Sequence, residues 1–207
     1  MIEQLHAPFF LQRLQVFGDF KGQDRRLVLA ALCQGKRVLH LGCADAPITD
    51  VRNSLHLFLQ ESAARLDGHD LDADALQLLR PHLTKGELFN DLRDVVGDYD
   101  LVLIPEVLEH VDNVRAFLAE VDELKCREIV ITVPDAYSCM SRHFEYEPGM
   151  RTFLEAVHPD HNCWYSPYTL HNVLRKYTSW KINAICFLGD ISVMAMCEKN
   201  PRPATPA

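Results

Sequence analysis

The residues best equipped for chemistry fall in a fixed order along the chain. A turn of small residues, Gly42-Cys43-Ala44-Asp45-Ala46-Pro47, follows the apolar run of VLHLGCAD. Asp70 ends a second apolar run 28 residues beyond Gly42, and Asp91 follows a third. Pro105 and Glu106 end a fourth, DLVLIPEVLEHV, which also carries His110. A strand that runs into small residues lets backbone N–H groups approach a ligand, and the next helix adds the positive end of its dipole. A carboxylate at the tip of the next strand can accept both hydroxyls of a ribose. One after the third strand can accept from an adenine amino group. Downstream, His158, Asp160 and His161 lie beside Trp164 and Tyr165. A neutral histidine is suited to removing a proton from a hydroxyl or amine near pH 7. His161 and His110 are the candidate bases and His158 the third, with Tyr137 and Trp164 as apolar walls.

These groups need strands and helices to hold them. Short apolar runs at 37–41, 66–70, 86–89, 100–104 and 127–133 alternate with helical patterns at 48–60, 73–81 and 112–123, which predicts a mainly parallel sheet with helices on both faces. Ser166-Pro167 opens a helix to about Lys176. The runs 180–188 and 191–198 flank Gly189-Asp190 as a closing hairpin. Residues 1–35 read as a helical prelude, with Leu5, Phe9, Phe10, Leu14 and Phe17 at helical spacing and a break from Gly18 to Gly22. Residues 134–166 lack periodicity and read as an insertion over the site. The tail from 199 to 207 reads as disordered.

Composition narrows the partners. A net charge of −8 argues against a phosphate-driven grip on nucleic acid, leaving a small molecule or a protein as partner. No apolar stretch is long enough to span a membrane, and seven scattered cysteines without a CxxC pair suit a reducing, cytoplasmic setting. Cys139, His143, His158, His161 and Cys163 are each able to bind zinc, but their spacings fit no common structural zinc pattern, so no metal is expected.

At VLHLGCADA, GHDLDADAL and DLVLIPEVLEHV the chain resembles the class I S-adenosylmethionine-dependent methyltransferases of the EVLEHV type, and the likeness extends through ITVPDAY and HPDHNCWYSPYTLHNVL. It covers roughly residues 36–198 and implies an α/β, Rossmann-like doubly wound sheet of seven strands, the last antiparallel. It also implies S-adenosyl-L-methionine as cofactor and a small-molecule or glycan-precursor acceptor. On that likeness His40, Gly42, Cys43 and Ala44 surround the methionine part and Asp70 and Leu71 the ribose. Asp91 and Leu92 hold the adenine, and Pro105 and Glu106 the sulfonium end. His40 stands where the family has an acid, and Ala44 and Ala46 where it has glycines. Two rivals remain open. One is a non-catalytic protein of the same fold that binds a partner. The other is an NAD-dependent oxidoreductase, which would need GxGxxG and a closer acid. Nothing in the sequence indicates the oligomeric state.

Overall fold

Period-two alternation along the central strands sends apolar side chains to both faces of one sheet, so helices must cover both. The computed structural model describes residues 12–44 and 51–199, apart from the side chains of 141–142. In chain order the elements are β1 (Phe17–Lys21), α1 (Arg25–Cys33), β2 (Arg37–Leu41), α2 (Leu55–Leu59), β3 (Arg65–His69), α3 (Ala73–Leu79), β4 (Leu88–Phe89) and β5 (Asp98–Pro105). They continue with α4 (Val114–Glu123), β6 (Lys125–Pro134), α5 (Ala136–His143), β7 (Phe144–Glu147), β8 (Thr152–Glu155), α6 (Pro167–Tyr177), β9 (Lys181–Gly189) and β10 (Ser192–Glu198).

Eight strands form the main sheet in the order β1-β9-β10-β6-β5-β2-β3-β4. β2 pairs in parallel with β3 and β5, as do β3 with β4 and β5 with β6, while β10 runs antiparallel to both β6 and β9. The expected α/β architecture with an antiparallel closing hairpin is the observed one. Val38, Leu101, Leu103 and Val130 pack with Val28 and Leu29 of α1 and Leu55 and Leu59 of α2. Leu39, Leu41, Val102, Ile104, Ile129 and Ile131 pack on the other face with Leu118 and Val121 of α4 and Leu170 and Leu174 of α6. α6 begins at a capping box in which Ser166 and Thr169 bond each other's backbone N–H groups.

Three local expectations are corrected. The segment expected to be helical with a break is instead a strand at Phe17–Lys21, parallel to β9, and residues 12–16 form no helix. Pairing with the open edge of β9 outweighs the helical spacing of Leu14 and Phe17, and Gly22 N–H then donates to Gly189 O at 2.9 Å. Leu5, Phe9 and Phe10 lie outside the described residues, as does the tail from 200 onward. The region read as aperiodic contains α5 and the β7–β8 hairpin. Asp135 caps α5 by accepting from Ser138 N–H and Oγ–H. The hairpin escapes a pattern reading because Tyr146, Phe153 and Leu154 are exposed, leaving no buried face to mark. Finally, the described part of the helix expected over 48–60 is a 3₁₀ turn at Val51–Asn53 and then α2, because Ser54 caps a new start by accepting from Leu57 N–H.

Candidate active site

The order of the strands reverses between β2 and β5, the position where open α/β sheets leave a crevice at their carboxyl ends. Gly42 follows β2 with φ +72, and a Cβ built there would lie 2.5 Å from Val107 Cγ2. Only glycine fits this junction without displacing the segment that follows β5. Gly42 N–H and Cys43 N–H both donate to His69 O, at 2.9 and 3.2 Å. Asp70 continues the same stitching: Oδ2 accepts from Ala44 N–H and Oδ1 from Asp72 N–H, each at 3.0 Å. A carboxylate offers about four lone-pair positions, of which these two donors among the described residues use two.

His40 is fully buried. Strand parity puts it on the α2 face with Val38, where its Nδ1 lies 3.2 Å from His56 Nδ1 and the two rings stack. Burial, then the His56 charge, then Arg25, hold its pKa well below the ordinary value. Burial likewise lowers His56 to about 4 despite Asp67. Both rings are neutral near pH 7 and pack beneath the Gly42 loop. Gly68 makes room for them: a Cβ there would come within 2.7 Å of Cys43 Sγ and 2.8 Å of His56 Cε1. Cys43 is buried with Leu76, Leu79 and Leu88, while Ala44 packs at the margin of that cluster.

Leu71, Asp91 and Leu92 line an open cleft of about 730 Å³ with His69, Val95 and Val96. Leu71 is 83% exposed, a large apolar side chain without a protein partner to cover it. Asp91 caps the 3₁₀ turn Leu92–Asp94 and is held by the side chain and N–H of Arg93, which lower its carboxyl to about 2.

Pro105 ends β5 in the interior, and Glu106 beyond it adopts φ +52, an uncommon region for a residue with a Cβ. The geometry is held from three sides. Glu106 N–H donates to Thr132 O at 2.8 Å, Thr132 Oγ1–H donates to Glu106 Oε1 at 2.7 Å, and Arg25 Nη1 lies 3.1 Å from the same oxygen. The 3₁₀ turn starts only at Leu108, so Glu106 and His110 do not share a helical face.

The three candidate histidines come together. The His110 ring lies 4.6 Å from that of His161 and 5.0 Å from that of His158, both edge-on. Burial, followed by neighbouring imidazoles, lowers the pKa of His110 and His161. Asn162 fixes their approach: its N–H donates to Glu109 O at 2.7 Å, and its Nδ2 donates to His110 O at 2.9 Å and Asp112 Oδ1 at 3.0 Å. Trp164 stands 5.8 Å from His161 and 5.1 Å from Phe144, with Nε1–H donating to Glu155 Oε1. Tyr137 is 71% exposed. Glu109, beside His110, is 1% exposed, and neither carboxylate oxygen accepts a hydrogen bond from another of the described residues. Burial, then the Glu106 charge, raise its pKa to about 9.

Sequence reasoning missed Arg25, Thr132, Glu109 and Asn162. The last two sit inside motifs already singled out, beside His110 and His161, and adjacency to those histidines was the available signal. Arg25 and Thr132 carry no such mark.

Solved structures share this fold. The DhpI–S-adenosylhomocysteine complex superposes with a TM-score of 0.57 at 19% identity, over 85% of each chain. The S-adenosylmethionine-dependent methyltransferase from Aquifex aeolicus gives 0.58 at 11% identity, over 84% of this chain and 87% of that one. The fold is that of S-adenosylmethionine-dependent methyltransferases. The N-methyltransferase NodS from Bradyrhizobium japonicum WM9, in complex with S-adenosylhomocysteine, gives 0.52 at 14% identity, over 85% of this chain and 84% of that one. No protein-family model and no curated protein matches the chain. Among the described residues no helix is long and apolar enough to cross a membrane.

Proposed function

We propose that this protein is an S-adenosylmethionine-dependent methyltransferase that methylates an oxygen or nitrogen of a small molecule or glycan precursor. The observation that carries the reading is a set of three carboxylates on the tips of successive strands around the switch point: Asp70 after β3, Asp91 after β4 and Glu106 after β5. Their chemistry suits the cofactor. Asp70 presents a carboxylate to a diol, Asp91 is ionised and paired with Arg93, so an adenine amino group would share or displace that pairing, and Glu106 offers negative charge to a cationic end. Leu71 and Leu92 supply apolar surface beside Asp91, and Gly42, Cys43 and Ala44 form the tight turn between them and Pro105-Glu106.

The cofactor supplies an electrophilic methyl group on a sulfonium. The protein's task is then alignment and exclusion of water. Trp164, Phe144 and the β7–β8 hairpin provide an apolar rim beside the histidines. His161, His110 and His158 are positioned to take the acceptor's proton, and the first two are deprotonated near pH 7. The seven cysteines, all reduced, suit action in the cytoplasm.

Calorimetric titration with S-adenosylmethionine and S-adenosylhomocysteine tests the reading, with NADH as control ligand. Saturable binding that Asp70→Ala abolishes is the expected result. Absence of binding at millimolar ligand would refute it in favour of a partner-binding protein of the same fold, and preference for NADH would refute it in favour of an oxidoreductase.

A further inference from the structure

Glu109, His110 and His161 each present a ligand atom, and these atoms all lie within 4.8 Å of one another. Two come from the turn after β5 and the third from a loop some fifty residues later, so the grouping is made by the fold and not by local sequence. The scaffold holding it is specific. Three hydrogen bonds from Asn162 clamp the His161 loop onto Glu109, His110 and Asp112. That is the kind of outer support that fixes ligand orientation at a metal centre.

Several of the donor atoms also lack hydrogen-bond partners. Both Glu109 oxygens and His161 Nδ1 are buried with no hydrogen-bond partner among the described residues, and so is Nε2 of the adjoining His158. A buried carboxylate without donors is costly, and fully burying it beside two imidazoles makes sense when a cation completes the group. Aliphatic packing would serve the core better if no ligand were intended.

We propose that Glu109, His110 and His161 bind a divalent transition-metal ion. One carboxylate and two imidazoles form a ligand set that suits zinc and its first-row neighbours and leaves coordination positions open. Magnesium and calcium prefer oxygen-only sets with more ligands. The site adjoins Glu106, whose charge reaches Glu109, and the His161–Trp164 wall. The use of an open coordination position, which rests on the methyltransferase reading, is to bind and polarise an acceptor oxygen; His110 and His161 then serve as ligands, and His158 alone of the three candidate bases is left to take the proton. The metal site itself does not depend on that reading.

Chelator-stripped protein is titrated with CoCl₂ while visible absorption is followed, and dialysed against ZnCl₂ or MgCl₂ for metal content. The expected result is one zinc or cobalt ion per chain, no magnesium, and d–d absorption without thiolate charge transfer. Glu109→Gln and His161→Ala, on separate elements, should each weaken binding by more than the roughly 10- to 100-fold that loss of an outer-shell partner costs. Failure to bind one ion per chain, undiminished binding by both variants, or a thiolate band pointing to cysteines would overturn the proposal. S-Adenosylhomocysteine titration of the same samples separates the two readings: metal binding without nucleoside binding leaves the site standing and removes methyl transfer, and the reverse removes only the metal.

Discussion

Replacing Gly42 with alanine tests how the turn after β2 is built. Two costs can be worked from the structure. At φ +72 a residue with a Cβ is disfavoured by roughly 1–2 kcal/mol. The new methyl also meets Val107 Cγ2 at 2.5 Å, an overlap whose relief by displacement costs about 1–3 kcal/mol. Together Gly42→Ala should lose about 2–5 kcal/mol in urea unfolding, with weaker S-adenosylhomocysteine binding as the loop moves. A double-mutant cycle with Val107→Ala separates the parts. The overlap, and only the overlap, should reappear as a favourable coupling of about 1–3 kcal/mol. Gly18→Ala is the control, since its added methyl meets nothing within 4 Å and φ is not positive there; it should stay within about 0.5 kcal/mol of the parent. A Gly42→Ala protein as stable as that control would refute the account of the turn, and a loss with no coupling to Val107 would refute the steric half.

The buried His40–His56 pair predicts acid sensitivity. His56 moves from an ordinary value of 6.5 to about 4 on folding, so the unfolded chain binds more protons between those values and stability falls as pH drops through that window. At pH 5 His56 alone should lower unfolding stability by about 2 kcal/mol relative to pH 7.5, measured by urea denaturation, and the dependence should flatten in His56→Gln. Arg25→Ala and Glu106→Gln, both partly exposed positions, should show a coupling of only about 0.2–1 kcal/mol in a cycle, falling as salt is added. Ser166→Ala removes the cap of α6 and should cost about 1 kcal/mol, read as a lower urea midpoint at unchanged slope.

The central strands were legible because burial on both faces writes itself as uninterrupted apolar runs, and Ser166-Pro167 named the start of α6 because capping is local chemistry. β1 was not, since its pairing with β9 depends on residues at the far end of the chain. Within the site, the turn at Gly42 and the carboxylates at 70, 91 and 106 could be read from spacing. The environment of each could not. His40 occupies a motif position, yet strand parity turns it toward His56 on α2, whose start at Ser54 was hidden inside a longer apparent helix. Arg25 reaches Glu106 from α1, within the stretch read only as a helical prelude.

β1 lies near the start of the chain, and β9 is completed only at Gly189. During synthesis β1 therefore emerges from the ribosome with no edge to join until β9 has followed it, more than 160 residues later. Closing so long a loop is entropically the most expensive contact in the sheet and belongs among the last to form. Because Gly22 N–H is anchored to Gly189 O just ahead of α1, the helix that brings Arg25 to Glu106 gains its tether at that same final stage. A nascent chain can thus assemble β2 to β6 while the crevice still lacks its arginine, and the site is completed when β1 and β9 meet.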